Sequence, residues 1–80
     1  MEDNGSYAAR LRRSFAANLR AARKSVGLSQ SRLAKASGVT QKSISGVEAA
    51  TTNPTLSTMA RLAESVSAEV PALLSEREGE

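Results

Sequence analysis

Apolar side chains recur along this chain at intervals of three and four, the spacing that puts them on one face of an α-helix. Leu11, Phe15, Leu19, Ala22 and Val26 form the first such stripe and predict a helix facing the core. Where it begins is open: one long helix from about residue 7 to residue 26, or a helix over 14–26 preceded by a flexible or partly helical basic arm over 1–13. From residue 28 to residue 48 the rhythm breaks into two short helices around a tight turn. Ser29 is placed to cap the first, Leu33 and Ala34 face inward, and Arg32 and Lys35 stay wet. Gly38 ends it, because glycine enters the left-handed conformation without a steric penalty, and Val39 plugs the angle. Thr40 caps the next helix. There Ile44 and Val47, three apart, turn inward, leaving Gln41, Lys42, Ser43, Ser45 and Gly46 on or near the outer surface.

A polar loop follows, and Thr55 or Ser57 can cap a fourth helix carrying Leu56, Met59, Ala60, Leu62, Ala63 and Val66. Pro71 suits the first turn of a short last helix ending at Leu74, since its missing N–H would have no partner there. Residues 75–80 are read as a frayed acidic tail. The pattern as a whole predicts an all-α, five-helix domain over residues 14–74.

Two short helices clamped around a turn make a helix-turn-helix, which lays its second helix in the DNA major groove. The exposed face of that helix has no acid before Glu48. Gln41 can donate to and accept from adenine, and Lys42 can donate to guanine. Ser45 and Gly46 join them as candidate base readers. Gly46 is odd, because glycine inside a helix costs about 0.5–1 kcal/mol relative to alanine. Either another backbone approaches it closely or the surface tolerates it. Ser29, Gln30, Ser43 and Arg20 are the candidate phosphate contacts. Arg10, Arg12 and Arg13 are either a solvated helix face or an arm reaching phosphates or the minor groove.

The chain resembles the lambda-repressor-like helix-turn-helix family, the Cro/C1 or xenobiotic-response-element type, from about Phe15 to Leu74. The residues that carry the resemblance are Leu19 and Arg23, then Gly27-Leu28-Ser29-Gln30, Leu33-Ala34 and Gly38-Val39-Thr40. Ile44 and Glu48, Asn53-Pro54-Thr55-Leu56 and Leu62-Ala63 continue it. The resemblance implies a five-helix domain binding operator DNA as a two-fold dimer. It also implies that Gln30 braces the helices and touches a phosphate, that Gln41 and Lys42 read base edges with Ser43 and Ser45 close by, and that Arg23 pairs with Glu48. Among members, the Ile-Ser-Gly-Val-Glu string is similar to controller proteins of restriction-modification systems. One departure follows Glu48: the family commonly has basic residues and a glycine, whereas this chain has Ala49, Ala50, Thr51 and Thr52. If two phosphate contacts are lost, the salt slope of binding falls by roughly two.

Charge sharpens the picture. The net charge of +3 conceals ten Lys or Arg against the single acid Glu48 over residues 10–61, and one Arg against five Glu over 62–80. Positive charge is therefore concentrated on the segment that carries the reading helix. With 80 residues the chain has room for one domain and a small interior, so help from a partner copy is expected. Val66, Val70, Leu73 and Leu74 are the candidate dimer patch, unless they simply close the core of one copy.

The absence of Cys and His removes disulfides and the usual zinc ligands. Tyr7 and Phe15 are the only aromatics, too few for stacking single-stranded bases. No run is long and apolar enough for a membrane span, and no signal-peptide core precedes Arg10, so a cytoplasmic setting is expected. No phosphate loop, positioned carboxylate pair or activated nucleophile is present, and an enzyme is not expected. No metal, cofactor or small-molecule ligand is expected either.

The reading is a dimeric, sequence-specific regulator of transcription, repressor or activator, on palindromic double-stranded DNA. A protein-interaction module, such as an antitoxin-like or scaffold helical domain, is the alternative kept open by residues 49–52 and the modest net charge. A basic architectural protein without site preference is a further one.

Overall fold

The computed structural model describes residues 5–76, and the outermost parts of the expected arm and tail lie outside them. Five helices are present among these residues: α1 (Tyr7–Ser25), α2 (Gln30–Ser37), α3 (Gln41–Glu48), α4 (Leu56–Ser65) and α5 (Val70–Leu74).

The first helix is the long one. Ser6 caps it by accepting from the Ala9 amide at 3.0 Å, and Ala9 is buried, so residues 7–13 are two turns of α1 rather than an arm. Burial of an apolar contact at Ala9 rewards helix there, which no local signal could settle. Val26, expected at the end of the core stripe, is the C-cap and is 45% exposed. The helix stops before its side chain comes round to the core. Gly27, at φ 77°, then lets the chain fold back so that the Leu28 amide donates to the Arg23 carbonyl.

The short helices start on side-chain caps. Ser29 accepts from the Arg32 amide, Thr40 from that of Ser43, and Thr55 from that of Thr58, which settles the choice between Thr55 and Ser57. Gly38 closes α2 at φ 76°, with its amide on the Ala34 carbonyl.

The core forms where α1 packs on α3 and α5 while α2 packs on α3 and α4. Phe15, Leu19, Leu33, Ile44 and Leu62 are its fully buried side chains. Each replaces water contact by close packing, so truncating one to alanine costs about 2–5 kcal/mol. Two of the four candidate dimer residues belong to this interior. Val66 and Leu73 are core, at 3% and 4% exposure, so they cannot form an outer patch, while Val70 and Leu74 are half-buried against it. The five-residue α5 is held by Asn18, whose Nδ2 donates to the carbonyls of Leu73 and Ser75 at 2.9 and 2.8 Å. Those are terminal carbonyls that a short helix leaves without partners.

Candidate nucleic-acid interface

The α2–α3 unit presents its polar residues because its apolar ones are spoken for. Ile44 and Val47 are buried, and their spacing of three aims one side of α3 at the core; Gln41, Lys42, Ser43 and Ser45 are exposed. The Thr40 hydroxyl accepts from the Ser43 amide and donates to the Ser43 hydroxyl at 2.9 Å, so the first turn of α3 is rigid where Gln41 and Lys42 begin. The helix N-terminus adds a partial positive charge at that end.

Glu48, the one acid of α3, does not face outward. Its side chain is 4% exposed. Arg23 grips it with two bonds, Nε to Oε2 at 2.7 Å and Nη2 to Oε1 at 2.9 Å, and spends Nη1 on the Leu28 carbonyl. Gln30 Nε2 donates to Glu48 Oε1 at 3.1 Å. One carboxylate thereby ties α1, the turn before α2, α2 and α3 together. Burial alone would push the Glu48 carboxyl up; the hydrogen bonds from Arg23 and then Gln30, with the charges of Arg23 and Arg20, hold it below its ordinary value. The same hydrogen bond raises the Arg23 guanidinium against the opposing effect of its burial.

Gln30 and Glu48 of this network, with Arg20, Ser45 and Ala49, line a shallow polar recess of about 270 Å³. Arg20 is exposed at its edge, and Ser29 is exposed at the α2 N-terminus. Ser45 of α3 thus shares this recess with Arg20 of α1 and Gln30 of α2.

Two groups of expected residues sit elsewhere. Gly46 carries no side chain outward: a Cβ built on it would lie 2.7 Å from Thr52 Cγ2. It is covered by the loop after α3 and is removed from the base-reading set. The close approach suspected from the sequence is real, made by a side chain instead of a backbone. Arg10, Arg12 and Arg13 stand on α1. Arg10 Nε is 3.3 Å from Glu76 Oε2, with its guanidinium carbon 5.4 Å from the Tyr7 ring centre, and Arg12 Nη1 donates to Asn53 Oδ1 at 2.6 Å. Arg10 therefore reaches the end of α5, and Arg12 latches α1 to the loop before α4.

Asn53 as that latch and Asn18 as the α5 cap were not visible in the sequence, because their partners are 41 and 55 residues away. Arg61 was missed as well: its Nη1 would be 3.9 Å from a Cβ at Gly38, so it overhangs the turn between α2 and α3. Among the described residues no group of three His, Cys, Asp or Glu is placed to hold a metal, and no helix is long and apolar enough to cross a membrane.

A helix-turn-helix family model matches residues 19–65. The crystal structure of the restriction-modification controller protein C.AhdI from Aeromonas hydrophila is similar with a TM-score of 0.73 at 34% identity, over 78% of this chain and 94% of that one. A helix-turn-helix family transcriptional regulator from Vibrio cholerae is also similar, with a TM-score of 0.73 at 28% identity, over 79% of this chain and 35% of that one. No curated protein matches.

Proposed function

The chain belongs to the lambda-repressor-like helix-turn-helix family, and from that premise we propose that it controls transcription by binding a palindromic operator in double-stranded DNA as a two-fold dimer. The fold is that of a regulator, not of an enzyme family. The observation that carries the proposal is the exposed Gln41–Lys42 pair at the capped start of α3, on a surface whose only α3 acid is buried under Arg23.

In this reading α3 enters the major groove. Gln41 bonds the N6 and N7 edge of adenine and Lys42 donates to O6 or N7 of guanine, each good pair worth roughly 1–3 kcal/mol of discrimination. Ser45 lies beside them. Arg20, Ser29, Gln30 and Ser43 set the register on phosphates, with Gln30 held at the angle that Glu48 fixes. Two copies place their reading helices about 34–36 Å apart, in successive major grooves. Occupancy then follows the dimer population, so response to protein concentration is steep. Similarity to C.AhdI over nearly that protein's whole length supports a controller-type role.

Selection of bound sites from random duplexes with the purified chain tests this directly. The expected result is one enriched sequence with inverted half-sites about one helical turn apart. Enrichment of no sequence, or of a single half-site without symmetry, would overturn it.

A further inference from the structure

The last turn of α3 is closed by the loop that follows it. The Ala49 amide donates to the Ser45 carbonyl, the Ala50 amide to that of Val47 and the Thr51 amide to that of Gly46, each at 3.0 Å, and Thr52 lies over Gly46, where a Cβ would meet its methyl at 2.7 Å. Residues 49–53 contain no charged residue, so no side-chain charge is there to pin the loop to a phosphate. The loop is tied from within. At its far end Asn53 Oδ1 accepts from Arg12 Nη1 of α1 at 2.6 Å. Asn53 precedes Pro54, whose ring excludes the helical region, so its backbone has little freedom to absorb a displacement of its side chain and passes it to Thr52.

Close packing does not set the position of the loop on this side. Arg12, Thr52 and Asn53 line an apolar groove of about 190 Å³ with Phe15, Val47 and Met59. That space is several times the roughly 30 Å³ share of a water molecule, and the Arg12–Asn53 bond joins its α1 wall to its loop wall. We propose, resting on the assignment of α3 as the helix that enters the major groove, that Arg12 and Asn53 are positioning residues for it. Their bond holds the loop so that Thr52 stays over Gly46 and the last turn of α3 keeps its shape, and Arg12 acts through α3 instead of through a phosphate. Ser45, a candidate base reader, lies in that turn. A turn that frays must be ordered again at the duplex, and the cost of that ordering is subtracted from affinity.

A double-mutant cycle on the full chain tests this. Arg12→Met keeps the aliphatic stem without the donor, and Asn53→Ala removes the acceptor without changing the charge. Arg12 is half-buried and Asn53 exposed, so helicity should stay near wild type. Affinity is measured on a duplex carrying the selected site at several salt concentrations, with self-association followed in parallel by sedimentation. Each single variant is expected to bind roughly three- to tenfold more weakly, the range of one net hydrogen bond. The double variant should lose no more than either single one, because both remove the same contact. The slope of log affinity against log salt should match wild type in all of them, and Arg12→Lys, which keeps a donor, should bind as wild type does. Without DNA, the amide resonances of Gly46 and Thr51 should shift in both single variants. Additive losses, a slope about 0.9 shallower in Arg12→Met alone, a loss fully matched by weaker self-association, or unmoved Gly46 and Thr51 resonances would overturn the proposal. A wild type that selects no duplex would sink the regulator reading, while the resonances of Gly46 and Thr51 would still decide whether the latch acts on α3.

Discussion

Thr52 closes over Gly46: its methyl and hydroxyl occupy the space where a side chain on Gly46 would point, and the neighbouring Thr51 amide and hydroxyl donate to the Gly46 carbonyl at 3.0 and 3.2 Å. The turn after the reading helix is folded onto the helix itself, and its position depends on a missing Cβ.

Gly46→Ala should therefore destabilise the protein by about 1–2 kcal/mol, although alanine is the better helix former by about 0.5–1 kcal/mol, because overpacking against a tethered loop outweighs propensity. Thr52→Ala in the same chain should restore most of the loss, since the two positions share one contact. Urea unfolding of the two single variants and the double variant reads the coupling; strict additivity would show that the contact has no energetic weight.

Ala50 adopts φ 60°, a left-handed conformation that strains a side-chain-bearing residue by roughly 1–2 kcal/mol. Glycine relieves the strain but gains freedom in the unfolded chain. Ala50→Gly is expected to raise stability by up to about 1 kcal/mol, visible as a higher thermal midpoint. A lower midpoint would contradict that balance.

The Glu48 carboxyl is held below its ordinary value of 4.5 in the folded chain. The unfolded state thus binds the proton more readily, and the stabilisation is present above pH 4.5 and lost as pH falls through the lower folded value. Glu48→Gln should remove this part of the acid limb in a series of thermal midpoints between neutral pH and pH 3. At neutral pH it should destabilise, because the Arg23 guanidinium is left buried without its countercharge, a loss of about 3–5 kcal/mol when one partner of a buried pair is removed.

Gln41→Ala is expected to relax preference at one base position in each half-site while leaving the spacing of half-sites unchanged. Repeating the duplex selection with this variant checks it; a motif identical to wild type would move base reading off Gln41.

Arg20 and Arg10 separate the two halves of α1. Arg20 is exposed beside Gln30 and Ser45, whereas Arg10 is paired with Glu76. Arg20→Gln should shallow the slope of log affinity against log salt by about 0.9, the release expected for one phosphate contact, and Arg10→Gln should leave it unchanged. Equal slopes for all three chains would take Arg20 off the phosphate backbone.

What the amino-acid sequence settled by itself is whatever is decided within a few residues along the chain. The caps at Ser29 and Thr40, the left-handed turn at Gly38, and the inward pair Ile44 and Val47 each depend on neighbours two to four positions away, and the helix period reads them out directly. Family resemblance extended that to the pairing of Arg23 with Glu48, while the bond from Gln30 to the same carboxylate came from the structure. The tertiary structure decided everything that depends on which surfaces meet. It extended α1 through residues 7–13 by burying Ala9, left Val26 outside, drew Val66 and Leu73 into the core, and laid Thr52 over Gly46. It also joined Asn18 to the end of α5 and Arg12 to Asn53. A helical pattern tells which face of each element is apolar; how far a neighbour covers that face is set by packing between residues tens of positions apart, which no local periodicity records.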